Sequence, residues 1–84
     1  MSRINVAVAV ADDARDRIHE VAAACRALGL ERTVTLAVVG VVTGSMDFRD
    51  LRKLWAVPGV LAVELESRLR SGITARTAFR GYED

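Results

Sequence analysis

With 84 residues, 51% of them apolar, the chain is one small domain and not a disordered segment. A formal net charge of +1 argues against a strong nucleic-acid footprint, and no run nears the ~18 apolar residues of a membrane span. A single cysteine, Cys25, cannot staple the fold, and the start at Met1–Asn5 is not that of a signal peptide, so a soluble, cytoplasmic protein is expected.

Ile4, Val6, Val8 and Val10 alternate with Asn5, Ala7 and Ala9, the pattern of a half-buried strand. Asp12 or Asp13 offers an N-cap to a helix whose inner stripe is Ala14, Ile18, Val21, Cys25 and Leu28, closed by Gly29. A second strand is expected from Thr33 to Val39, with Val34, Leu36 and Val38 inward and Thr33, Thr35 and Ala37 outward. Gly40 is either a turn or a bulge, and a shorter strand follows from Val41 to Ser45. Asp47 caps a second helix with Phe48, Leu51 and Leu54 or Trp55 on its inner face. Pro58-Gly59 ends it. The last strand turns Leu61, Val63 and Leu65 inward and Val60, Ala62, Glu64 and Glu66 outward.

The order β-α-β-β-α-β predicts an α+β fold: a ferredoxin-like sandwich with a four-stranded antiparallel sheet and two helices on one face. Residues 1–70 make the domain, and residues 71–84 read as a tail or a weak extra strand. One sheet face is left bare. Its expected set, Asn5, Ala7, Ala9, Thr33, Thr35, Ala37, Val60 and Ala62, is short and mostly uncharged, joined by Glu64 and Glu66. Such a surface suits protein binding, including pairing with a second copy into a homodimer.

From the Gly40–Met46 strand through Asp47, the short second helix, Val57-Pro58-Gly59-Val60 and the Val63-Glu64-Leu65-Glu66 ending, the chain resembles the propeptide-like inhibitors of subtilisin-type serine proteases. With the element order, the resemblance extends over about residues 4–70. It implies a subtilisin-type serine protease as partner, with the bare sheet face laid on two surface helices of the enzyme. Glu64 and Glu66 would then approach the N-termini of those helices, where unpaired N–H groups and the helix dipole favour a carboxylate. It also implies that Ser67, Arg68, Leu69, Arg70 and Ser71 run extended into the protease cleft as an added strand. The chain departs from that family in continuing from Ile73 to Asp84, and in placing Arg68 and Arg70 where such clefts prefer apolar side chains. An inhibitor of this kind would act in trans. The alternative is an oligomerising or small-molecule-sensing module with no protease partner.

Catalysis finds little to work with. His19 lies off the apolar stripe of the first helix, as a solvated residue would, and Cys25 lies on it. Six residues apart on a helix, the two are on different faces. Lys53, the only lysine, sits in a charged helix face beside Arg52, without the apolar pocket a Schiff-base lysine needs. Ser45 with Asp47 reads as helix-start chemistry. Gly40–Ser45 lacks the Gly-Lys-Ser/Thr ending of a phosphate loop. Neither a metal cluster nor a cofactor motif is present, and Phe48, Trp55, Phe79 and Tyr82 are expected off the sheet face, away from any stacking role in RNA binding.

Overall fold

Valine at every second position makes Arg3–Val10 a strand with one wholly apolar side, and that strand, β1, becomes the centre of the sheet. The computed structural model describes the backbone of residues 3–68 and 74–79 and the side chains of residues 3–65. A 3₁₀ turn (Asp12–Arg17) leads from β1 into α1 (Ile18–Ala27). There follow β2 (Glu31–Leu36), β3 (Val41–Asp47), a 3₁₀ helix (Phe48–Ala56), β4 (Val60–Arg68) and β5 (Thr74–Phe79). The fold is α+β, and the strands lie in the order β2-β3-β1-β4-β5 with every neighbouring pair antiparallel. β5 makes the sheet five-stranded instead of four. Of the two readings of the C-terminal segment, residues 74–79 take the strand.

The helices cover one face only. Val6, Val8 and Val10 of β1, Val42 and Met46 of β3 and Val63 of β4 meet Ile18, Val21 and Cys25 of α1 and Leu51 and Leu54 of the 3₁₀ helix in one buried cluster. No polar or charged side chain is buried among the described residues. The α1 stripe is the one its spacing predicts. Its start differs: Ala11 holds the N-cap position of the 3₁₀ turn and Arg17 that of α1, and neither Asp12 nor Asp13 caps through its side chain. Its end is a Schellman motif, with Gly29 N–H donating to Arg26 O at 3.0 Å and Leu30 N–H to Cys25 O at 3.1 Å. Gly29 sits at φ 113°, which only glycine adopts without strain. The chain then drops Leu30 into the core over Gly44, where a Cβ would come within 2.7 Å of the leucine side chain.

Asp47 starts the second helix as expected, its Oδ1 accepting from Arg49 N–H at 2.8 Å. The Arg49 guanidinium closes on the same carboxylate at 3.2 Å through each oxygen. That side-chain hydrogen bond, with the backbone one, holds the Asp47 carboxyl below its ordinary value. Leu51, Leu54 and Val57 recur at steps of three, which a three-residue turn stacks on one side, and all three are buried. Phe48 belongs to the same series yet is mostly exposed, contrary to its expected inward place.

β2 and β4 break the expected alternation, each by one residue. On β4, Ala9 pairs with Ala62 but Val10 with Val60, so Leu61 is an extra residue in the ladder. Val60 consequently packs against the core, and Leu61, expected inside, is 63% exposed. On β2, Glu31 pairs with Ser45 but Val34 with Thr43, three residues against two. The surplus falls beside Arg32, the one non-glycine residue with positive φ (55°) among those described. Val34 and Leu36 thereby share the bare face with Thr43 and Val41, and Thr35 goes to the helix side opposite Val42. β2 also ends at Leu36. Residues 37–40 form the hairpin turn, which settles Gly40 as a turn residue and removes Ala37 and Val38 from the strand.

The bulge yields an inverted expectation for two neighbouring apolar residues. Leu61→Ser should leave stability within ~0.5 kcal/mol of the parent. Val63→Ala, which empties a fully buried site, should cost ~2 kcal/mol. Urea unfolding of the two variants measures both, and a larger loss at Leu61 would place the bulge elsewhere.

Candidate functional site

Across the bare face, residues paired in the ladder form rows. One row is Leu36, Val41, Ala9 and Ala62, apolar throughout. The next is Val34, Thr43, Ala7 and Glu64, which is mixed. The third contains Glu31, Ser45 and Asn5 and is polar. Arg3 lies at that polar end, its guanidinium 2.9 Å from Glu31 and 3.2 Å from Ser45 O. The face is therefore graded along the strands, from hydrocarbon at one end to charge at the other.

More apolar surface projects at the hydrocarbon end. The hairpin turn presents Val38, 91% exposed, and Val39, and Leu61 emerges there from its bulge. These segments converge through backbone bonds: Val10 N–H donates to Gly40 O at 2.8 Å and Ala11 N–H to Gly59 O at 2.8 Å. Arg15 braces the turn from below, its guanidinium donating to Val38 O at 3.5 Å and Val39 O at 3.4 Å. These two bonds sit at the long end of the range and are exposed, so each contributes little alone. Together they occupy the carbonyls of a turn whose side chains have nothing over them.

At the polar end a shallow depression of about 240 Å³ lies between Arg32 and Glu64, floored by Thr43, Gly44 and Ser45. Arg32 reaches it through the left-handed backbone that also flips β2. A cation on β2 and a carboxylate on β4, with β3 and β1 between them, suit polar recognition. Neither a thiol, an imidazole nor a lysine lines the depression.

Of the residues the sequence offered for binding, Ala7, Ala9, Ala62 and Glu64 do come together on the bare face. Thr35 lies on the opposite side, and Ala37 belongs to the turn. Glu66 pairs through its backbone with Asn5 and with Arg76, and Arg68 with Thr74, so Ser67 and Arg68 lie within a β4–β5 hairpin. The expected extended departure from the sheet is not present at those two positions. Leu69, Arg70 and Ser71 lie outside the described residues. Arg32, Val34, Leu36, Val41 and Leu61 were missed. One signal was available: Gly40 as the last residue of a four-residue turn fixes the pairing of Leu36 with Val41.

Elsewhere, His19 is exposed, Lys53 is paired with Asp50 at 3.2 Å, and Cys25 is fully buried. No group of three metal-ligating side chains and no helix long and apolar enough to cross a membrane occurs among the described residues. Compared with known proteins, the chain matches no family model, no curated protein and no solved structure. What the site does has to be read from its own residues.

Burial pushes the Cys25 thiol above its ordinary value, with Arg26 opposing the shift only in part. Ellman's reagent should therefore find no reactive thiol in the folded protein and one per chain in denaturant. A rapid native reaction would mean that α1 opens readily from the sheet.

Proposed function

We propose that this chain is a small protein-binding module that acts by surface contact through its bare sheet face, and not by turnover of a substrate. The observation that carries the reading is the coincidence of exposed apolar side chains at one end of that face, Leu36, Val38, Val39 and Leu61, with Val34 in the adjoining row. Scattered exposed leucines and valines are ordinary on a small protein. A contiguous group, rimmed by charge and presented by a braced turn, marks an interaction surface. The graded character supports the same reading. Apolar contact supplies binding free energy, and the Arg32–Glu64 end supplies orientation.

A second reading, an inhibitor of a subtilisin-type serine protease acting in trans, draws support from Glu64, which lies on the bare face where the resemblance asks for an acid. The pairing of Ser67 and Arg68 with β5 counts against its other half, the strand entering the cleft. In that form the inhibitor would cover the enzyme's surface helices without filling its cleft.

Parallel affinity capture from extracts of the source cells, with the parent and with Leu36→Glu as baits, tests the first reading. Proteins held by the parent, a second copy included, should be lost from the variant. Identical sets on both baits would sink it. For the second reading, a subtilisin-type protease is assayed with micromolar protein. The surface-contact reading expects no slowing, whereas inhibition abolished by Glu64→Gln would replace it with the protease reading.

A further inference from the structure

The binding surface is patterned in two directions, and the two patterns together specify its occupant. Resting on the protein-binding reading, we infer that the occupant is a second copy of this chain, packed face to face about a two-fold axis parallel to the strands between β3 and β1. The grading along the strands selects the direction of that axis. Rotation about it keeps the apolar end over the apolar end, whereas a two-fold running across the strands would lay Leu36 and Ala62 over the ionic end at Arg3 and Glu31.

The pattern across the strands selects its position. The apolar row falls in size from Leu36 through Val41 to Ala9 and Ala62. The two-fold lays that row over itself in reverse, so that Leu36 meets Ala62 of the second copy and Val41 meets Ala9 of the second copy. Large opposes small at each step, which is how two sheets interdigitate at ~10 Å separation. Charge follows the same operation. Arg32 belongs to β2 and Glu64 to β4, the strands the axis exchanges, so the guanidinium of each copy approaches the carboxylate edge of the other, two equivalent contacts in one isologous interface.

The size is adequate. Four strands ~4.8 Å apart and about six residues long present roughly 400 Å² of projected face. Side-chain relief, the projecting turn and Leu61 bring this towards the ~600 Å² per copy at which the range of specific interfaces begins. A net charge of +1 sets no repulsion against pairing.

Size-exclusion chromatography with light scattering on the full chain at tens of micromolar reads the result. The parent should elute at twice the chain mass, and Ala62→Glu, which sets a carboxylate against Leu36, should elute at the chain mass with an unchanged circular dichroism spectrum. Should that variant fail to fold, a mixture of Leu36→Cys and Ala62→Cys proteins treated with a short bismaleimide replaces it. A cross-link between the two variants exceeding either same-site product supports the axis. Buried Cys25 does not compete. A dimer indifferent to Ala62→Glu, or one that cross-links 36 to 36, overturns the inference. So does a monomeric parent. A monomer that still captures some other protein through Leu36 leaves the binding reading standing, and one that captures nothing through it ends both.

Discussion

A strand has two sides, and a single extra residue exchanges them. This constraint governs the molecule. β1 has no irregularity within itself, and its Val6, Val8 and Val10 all reach the core. Its neighbours must match it, so Val42 and Met46 on β3 and Val63 on β4 face the same helices. The inner structure is thus a consequence of one uninterrupted period-2 pattern paired on both sides. β2 and β4 obey it only up to their bulges. Beyond Arg32 on β2, and before Ala62 on β4, the sides are exchanged.

Each exchange moves hydrocarbon outward. Without the surplus residue in β2, Thr33 and Thr35 would lie on the bare face, and Val34 and Leu36 would turn towards the helices. With it, the small Thr35 suffices at the margin of the core and Val34 and Leu36 are released to the surface. At β4 the bulge brings Val60 into the core and turns Leu61 out. The apolar end of the bare face is therefore a product of backbone irregularity as much as of composition.

That origin also explains what the sequence discloses. β1, the α1 stripe, the Gly29 stop and the Asp47 cap are legible because each is written in residue types whose physical preferences are strong: alternating valines, a 4-3-4-3 spacing, a glycine at φ 113° and an aspartate ahead of an orphan N–H. Ala7, Ala9, Ala62 and Glu64 were found for the same reason. They sit where the alternation holds. Val34, Leu36 and Leu61 fall inward only when alternation is carried through two bulges that no residue type announces. Arg32 is the clearest instance: a left-handed arginine has no compositional signature. β5 lacks periodicity of its own and pairs with β4 as a template, which is why the sequence offers it only as a tail or a weak extra strand.

The same bulges bear on how the bare face stays available. β2 is an edge strand, and its exposed N–H and C=O groups invite pairing with another chain edge to edge. The surplus residue near Arg32 interrupts that ladder and increases its twist, which disfavours extension of the sheet in that direction. On the opposite flank β5 occupies the outer edge of β4. Association through edges is thus discouraged on the β2 side and displaced from β4, while the irregularity that weakens the β2 edge delivers Val34 and Leu36 to the face. The interrupted β2 edge thus disfavours strand addition on that side, and the same surplus residue that weakens it enlarges the apolar part of the face.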